Sequence, residues 1–433
     1  MERSLLFKYR RLKIKFIAIF LDHYVRVAQK KHDIKIVAVT GTIGKTSAKV
    51  AISQLLASKH KVYIEDQNHN SDRAIRLNFF GVEFPHKSRQ MIRWVPVLFE
   101  VRKLAKNFPY DVVVIEMAES RHSSLKKFIA EIQPDIGVIT AVSPVHMRYF
   151  KSLDRVVKAT WDLVNLSKKV VYNTDFEELD NLARGTNHTI GYGIDGGKVR
   201  FKNINRDKNN YLTGQLCVGS KTVQVKSNFI ARQSLYSLLA AATTAIELGW
   251  DLEDVAKNIK YIKPVSGRMN LLDGKKNSVI IDDSFNASPI AVKAALETLR
   301  ELKGYKIAVL GSMNELGEES IKEHTKIGKL AAEIADIIIT VGKESKRYLV
   351  PAAIQAGFDK QNIHSFMKSN QTGKCLNTVL KPNSLVLFKG SQGGIYMEEA
   401  IKSILKDPNT ADEVLVRQKN EWLRRKKNFF ADL

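Results

Sequence analysis

From Ile34 onward, hydrophobic and polar positions follow two alternating rhythms. Short apolar runs of strand length, IKIVAVT at 34–40, DVVVIEM at 111–117, DIGVITAV at 135–142 and KVVYNT at 169–174, are separated by stretches with helical spacing. SAKVAISQLLASKH at 47–60 is the clearest of these. Apolar strands alternating with amphipathic helices predict right-handed βαβ units and a parallel sheet covered on both faces. The rhythm breaks over residues 189–230, where TIGYGI, VRFKNI, LTGQLCV and TVQVKS read as short strands of a small antiparallel subsheet on the same domain.

Helical patterns at 231–249 and 251–261 lead to Pro264, Ser266 and Gly267, read as a hinge. A second α/β rhythm follows: SVIIDDS, a helix from Pro289 to Leu302, KIAVLGS, a helix around 319–335, DIIITVG and SLVLFKGS. Another doubly wound sheet is expected there. The predicted domains are a basic amphipathic extension at 1–31, a central domain at 32–263, a C-terminal α/β domain at 264–412 and a basic helix at 413–433. The tail carries Trp422, Phe429 and Phe430, and the sequence assigns it no role.

Length supports this division, since 433 residues exceed the roughly 250 to 300 at which single cores stop growing. Cys217 and Cys375 lie far apart without a CxxC pattern, which argues against a disulfide framework or a thiolate zinc site. The net charge of +24 favours anionic partners: nucleotides, nucleic acid or acidic lipid head groups. Nucleic acid is not expected, because no aromatic-basic pattern of the known RNA- or DNA-binding modules occurs.

Residues 1–31 mix Leu5, Leu6, Phe7, Ile14, Phe16, Ile17, Ile19, Phe20 and Leu21 with Arg10, Arg11, Lys13, Lys15, Arg26, Lys30 and Lys31. The run Phe16–Leu21 is far below the roughly 20 residues of a membrane span, and no small-residue cleavage site follows it. A cytoplasmic protein is expected. Its first helix either packs its apolar stripe on the next domain or lies on an anionic membrane surface at the inner face.

The candidate chemistry begins at Gly41-Thr42-Ile43-Gly44-Lys45-Thr46-Ser47, between a predicted strand and a predicted helix. Glycines there turn backbone N–H groups toward phosphates, and a helix N-terminus adds positive potential. Lys45 would reach the β- and γ-phosphates and Thr46 would ligate Mg2+. Val39 stands where the usual GxxxxGK spacing has glycine, so this is a shortened loop. Glu116 ends one strand and His146 follows another, at the carboxyl edge where ligands of open parallel sheets collect. Thr46, Glu116 and His146 are therefore expected to converge on a metal ion.

These residues belong to a longer series. TGTIGKTS at 40–47, VIEMAES at 114–120, PDIGVITAVSPVHMRYF at 134–150, SGRMNLL at 266–272, IIDDSFNASPIAVKAALETL at 280–299, VLGSMNELGEES at 309–320 with His324, and FKGSQGG at 388–394 occur in this order. The series resembles the Mur ligases, and within them the branch that adds D-alanyl-D-alanine to a UDP-muramoyl tripeptide.

The resemblance implies an ATP-dependent amide ligase of peptidoglycan precursor synthesis, with a phosphate-loop central domain and a C-terminal Rossmann-like domain. It implies ATP and Mg2+ as cofactors. Its small-molecule substrates would be a peptide or UDP-sugar peptide carboxylate and an amino acid or dipeptide amine. By position, Gly41, Thr42, Gly44, Lys45, Thr46 and Ser47 would hold phosphate, Glu116 and His146 metal, Asn286 adenine, and Arg268 the nucleotide from the hinge. Asn314, Glu315, Lys389 and Ser391 would face the amine.

The sequence also departs from the family. Thr160 occupies the place of a lysine that is carbamoylated in many members, with Asp162 in the glutamate's place. Lys158, two residues early, is turned roughly 200° from that face and reads as solvated. The stretch Asn68-His69-Asn70-Ser71-Asp72-Arg73 matches the family's asparagine-rich loop only at its start, Ala118 replaces a usual glycine, and Gln392 stands where arginine is common. About 40 residues precede the phosphate loop, so the family's N-terminal UDP-binding domain is not expected. Two alternatives stay open: a ligase acting on a non-UDP carboxylate, and a nucleotide-binding scaffold that has lost turnover.

Overall fold

The structure, a computed structural model, describes residues 2–64, 72–85, 90–117, 129, 132–142 and 152–431. The chain divides into two compact units. One comprises residues 1–207, 213–228 and 235–263, and the other 208–212, 229–234 and 264–433.

The first unit opens with helix α1 (Glu2–Lys31), followed by β1 (Lys35–Thr40), α2 (Lys45–Leu56), β2 (Val62–Ile64), α3 (Asp72–Phe80), α4 (Trp94–Lys106), β3 (Val112–Glu116) and β4 (Ile136–Ile139). It continues through α5 (Leu153–Val164), β5 (Lys169–Asn173), α6 (Glu177–Ala183), β6 (Thr189–Gly193), β7 (Val199–Arg206), β8 (Leu212–Val218), β9 (Lys221–Lys226), α7 (Leu235–Glu247) and α8 (Leu252–Ile259). The strands form one nine-stranded sheet in the order β2-β3-β1-β4-β5-β6-β7-β8-β9. From β2 to β6 every pairing is parallel, and Val39 of β1 lies opposite both Glu116 of β3 and Val138 of β4. These strands are continuous Val/Ile runs because helices cover both faces. The antiparallel pair β8–β9 extends the same sheet at its edge.

Helix α2 buries Ala48, Ala51, Ile52, Leu55 and Leu56, the spacing of one helical face. Helix α1 buries Ile17, Leu21, Val25 and Ala28 into the core that also holds Trp94, Leu98, Val101 and Ala105 of α4. Gln29 donates to the Ile132 carbonyl (2.7 Å), and Arg76 pairs with Asp22 below the surface. The C-terminal half of α1 is thus part of the unit. Among the described residues, no helix is long and apolar enough to cross a membrane. Both cysteines are free thiols.

The second unit contains β10 (Asn270–Asp273), β11 (Val279–Asp283), α9 (Pro289–Glu301), β12 (Lys306–Gly311), α10 (Ser320–Ile334), β13 (Ile337–Val341), α11 (Val350–Gln355), β14 (Ile363–Phe366), α12 (Gly373–Val379), β15 (Leu385–Lys389), α13 (Glu398–Lys402), α14 (Ala411–Val414) and α15 (Asn420–Ala431). Its six-stranded sheet runs β10-β11-β15-β12-β13-β14, parallel except for the edge pair β10–β11. Asp283, Lys389 and Leu310 lie side by side at the ends of β11, β15 and β12, so the loops after these three strands leave from one edge. Pro289 starts α9, where its missing N–H costs nothing.

Candidate functional site

In the first unit the phosphate loop crosses the carboxyl end of the sheet. Gly41 and Gly44 have φ of +132° and +84°. A Cβ on Gly41 would sit 2.3 Å from the Thr140 hydroxyl, so both the turn and this close approach require glycine. Thr140, at the end of β4, donates to the Ile43 carbonyl (2.6 Å), and the Thr42 N–H donates to the Ala141 carbonyl (2.8 Å). The loop is laced to β4 on one side and runs into α2 on the other. Gly44 gives α2 no side-chain cap, so the first-turn N–H groups around Lys45, Thr46 and Ser47 point out of the helix end. The Lys45 ammonium curls back to donate to the Gly41 carbonyl.

Glu116 is brought to the same place by the parallel pairing of β3 with β1. The Thr46 hydroxyl donates to its carboxylate at 3.1 Å. Lys49, one turn beyond Lys45 on the same face of α2, places its ammonium 3.5 Å from the same Glu116 oxygen; the lysine is 2% exposed and the carboxylate 10%. The Thr46–Glu116 pair expected from the sequence is therefore formed. His146 and the stretch Asn68–Ser71 lie outside the described residues, as does Ala118. Sequence reasoning missed Lys49 and Thr140. A lysine four residues after Lys45, at a position flanked by core-facing Ala48 and Ile52, was the available signal for the first.

A hydroxyl beside a carboxylate is a hard-oxygen donor set of the kind Mg2+ takes when phosphate oxygens and water supply its remaining ligands. Among the described residues no three His, Cys, Asp or Glu side chains cluster as a metal cage. The sparse pair fits an ion shared with a nucleotide. Thr160 is buried on α5, its hydroxyl donating to the Val156 carbonyl (2.8 Å), while Lys158 is exposed.

In the second unit, side chains tie the three loops to one another. Lys389, expected at the amine site, is 3% exposed, with its ammonium on Asp283 (2.7 Å) and on the Asn286 carbonyl (2.7 Å). Asn286 is exposed, and its side-chain oxygen accepts from the Gln392 N–H (3.1 Å). The buried Ser391 hydroxyl accepts from the Asn314 N–H (2.8 Å), and the Asn314 amide donates to the Gly393 carbonyl (2.6 Å). Glu315 is exposed, at a φ of +66°. Arg268 stacks its guanidinium on the Phe285 ring at 4.2 Å. Asp282 accepts from the Gly267 and Ser284 N–H groups; burial pushes its carboxyl up to about 6.

His324 latches the loop after β12. Its Nδ1 faces the Ser320 carbonyl (2.8 Å), which can only accept, so Nε2 is the acceptor for the Met313 N–H (3.0 Å). Burial holds its pKa below the ordinary value. The C-terminal tail also acquires a role. Arg417 binds Glu398 bidentately (2.9 and 2.7 Å) and donates to the Ser284 and Phe285 carbonyls (2.8 and 3.0 Å). Lys426 on α15 pairs with Glu399 (2.6 Å), and Phe429 packs on Tyr396.

A glycine-rich phosphate loop with a hydroxyl–carboxylate pair, followed by a parallel sheet bearing polar loops, defines a nucleotide-binding α/β protein of two units. Two family models match it: Mur ligase middle domain over residues 39–245, and Mur ligase, glutamate ligase domain over 267–392. The chain belongs to the Mur ligase family, as its motif blocks led one to expect.

Among its relatives, the UDP-N-acetylmuramoyl-tripeptide–D-alanyl-D-alanine ligase of Haemophilus influenzae is 24% identical over 404 residues, covering 91% of this chain and 81% of that protein. The enzyme of the same name from Bacillus subtilis is 23% identical over 380 residues, 86% and 76% of the two chains. In structure the chain is similar to the MurF ligase of Thermotoga maritima in complex with ADP (TM-score 0.69, 22% identity, 88% and 83% covered). It is also similar to the folylpolyglutamate synthase of the same organism (TM-score 0.56, 14% identity, 89% and 94% covered).

Proposed function

We propose that this protein is an ATP- and Mg2+-dependent amide ligase of peptidoglycan precursor synthesis. It would activate the carboxylate of a muramoyl peptide as an acyl phosphate and couple it to the amine of D-alanyl-D-alanine. The observation that carries this reading is the Lys45, Thr46 and Glu116 constellation at the phosphate loop of a chain whose relatives bear that activity in their names. Lys45 and the first-turn N–H groups of α2 bind phosphate oxygens and offset the charge that develops as the carboxylate attacks. Lys49 holds the Glu116 carboxylate toward Thr46. Thr46 and Glu116, with His146 as a third candidate, would hold Mg2+, which supplies positive charge at the phosphate oxygens. In the second unit, Asn286 and Arg268 are assigned to the nucleotide and the Asn314–Glu315 loop to the amine. Ser391 and Lys389 keep those loops in place.

The test is phosphate release from ATP with UDP-muramoyl tripeptide and D-alanyl-D-alanine, each alone and then together, beside Lys45→Ala. Release that needs both substrates and disappears in the variant is expected. Thr160 favours a second reading, since a buried hydroxyl bonded to its own helix offers no carbamate. Nucleotide binding without release under any substrate pair would select that reading, a scaffold without turnover. A cytoplasmic location at the inner membrane face is the remaining part of the proposal and rests on α1.

A further inference from the structure

At 30 residues α1 is about 45 Å long, yet its described buried positions run only from Ile17 to Ala28. Leu12, Ile14 and Phe16 lie N-terminal to that stretch and are all exposed, Phe16 by 55%. Leu12, Phe16 and Ile19 fall at i, i+4 and i+7, a stripe on the side of the helix opposite Ile17, Leu21, Val25 and Ala28.

A second exposed stripe lies on the neighbouring helix. Ile92, in the tight turn Met91–Arg93 that leads into α4, and Val95 and Phe99 of α4 follow i, i+3 and i+7, with Ile92 and Phe99 exposed by 72% and 71%. Lys31 and His32 both reach the Lys106 carbonyl (2.6 and 3.2 Å), so the C-terminal ends of α1 and α4 meet. The two helices pack against each other and therefore run in the same direction. Phe16 and Ile92 stand 15 and 14 residues back from that junction, about 22 Å in each case. The exposed apolar residues of both helices consequently lie on the same side of that junction, from about 10 Å back at Phe99 to about 28 Å back at Leu12.

Residues 12–19 and 91–99, which carry these stripes, contain Lys13, Lys15 and Arg93 and no acidic residue; Asp22 and Glu100 lie beyond them, and Asp22 is paired with Arg76. Apolar side chains flanked by long basic ones, with almost no acid among them, complement a plane that is oily beneath and negative on top. We propose that residues 12–19 of α1 and 92–99 at the front of α4 form a peripheral anchor that seats the protein on an anionic lipid bilayer. Leu12, Phe16, Ile19, Ile92, Val95 and Phe99 enter the head-group region, and Lys15 and Arg93 lie among the phosphates. Binding of this kind lies in the interface and needs no spanning helix.

The test is flotation of the full chain with phosphatidylcholine vesicles, with and without phosphatidylglycerol, at low and high salt. It reads binding alone, so it stands or falls apart from ligase turnover. Co-flotation only with the anionic vesicles, weakened by salt, is expected. Lys15→Gln with Arg93→Gln should weaken partitioning about 25-fold, from roughly fivefold per charge. Phe16→Ser with Phe99→Ser should weaken it by at least about tenfold, at an unchanged melting temperature because both rings are already exposed. Absence from the anionic vesicle fraction would overturn the proposal, as would flotation unaffected by the phenylalanine changes. So would a dimer in sedimentation that those changes convert to monomer, which would assign the face to a second copy of the chain.

Discussion

The two sheets carry their functional loops at the same kind of edge but prepare them in opposite ways. In the first unit, the loop after β1 keeps its shape through glycine dihedrals and two bonds to β4, and its outward-facing groups are backbone donors at a helix end. In the second, the loops after β11, β12 and β15 are bound to one another by Lys389, Asn286, Ser391 and Asn314, and His324 on α10 fixes the loop after β12. One site offers its polar groups to a ligand, and the other uses most of them to fix its own form. A loop that binds a charged, symmetric phosphate can rely on backbone geometry. A loop that must distinguish organic substrates needs a shape held by side chains.

The largest effect should come from removing the group assigned to phosphate. Lys45→Ala should lower ATP-dependent phosphate release by about a thousandfold or more with the fold intact, as checked by circular dichroism and steady-state assay. A comparable loss from any single change in the loops of the second unit would break the comparison. Next comes Lys49, which touches a carboxylate rather than the nucleotide. Lys49→Met should raise the Mg2+ concentration for half-maximal activity by about 10- to 100-fold, as support shells of metal sites do. It should also lower stability by about 3 kcal/mol, because Glu116 is left buried without its cation. Glu116→Gln in the same background should restore much of that stability but not the Mg2+ response.

In the second unit a single lock should matter less. Ser391→Ala leaves the Asn314 N–H without its acceptor, an expense of about 1–3 kcal/mol shared between stability and loop position. Its KM for the amine substrate should rise by about tenfold while ATP binding stays the same, measured by nucleotide titration beside initial rates.

The sequence displayed the backbone-built site almost completely and the side-chain-built one poorly. Gly41, Gly44, Lys45 and Thr46 are visible because a phosphate loop is contiguous and its glycines are obligatory. Glu116 is visible because parallel strands end at one edge. Lys389, Ser391 and Asn314 were legible as motif members, but their bonds span 77 to 103 residues and no local pattern encodes them. Arg417 and Lys426 were hidden for the same reason: in sequence they belong to a basic tail, and only the fold brings them to Glu398 and Glu399. The strand β2, three residues long, was too short to show a period. The helix over Leu235–Glu247 begins later than its hydrophobic pattern suggested, because Arg232–Ser234 forms a tighter turn first.

The smallest effect expected is also the one that depends on pH. Burial depresses the His324 pKa, so the folded protein favours the neutral ring more than the unfolded chain does. The latch therefore contributes its full stability above the ordinary imidazole value of 6.5 and loses it as pH falls through the lower, folded value. The groups around the ring agree with this sign. Ser320 offers a carbonyl to Nδ1, and the Tyr348 ring is a tilted neighbour at 6.4 Å. Glu344, held by the Ser320 hydroxyl, is a nearby negative charge that opposes the depression without reversing it. Protonation at Nε2 would replace the acceptor of the Met313 N–H with a donor and release the loop that carries Asn314 and Glu315. The KM for the amine should accordingly rise a few-fold on the acid side while the affinity for ATP holds steady. In His324→Gln, an amide that can accept but cannot titrate, KM should be raised by about threefold at every pH and the acid limb should vanish. An acid limb that persists in that variant would place the titrating group elsewhere and leave the two sites less different than their bonding suggests.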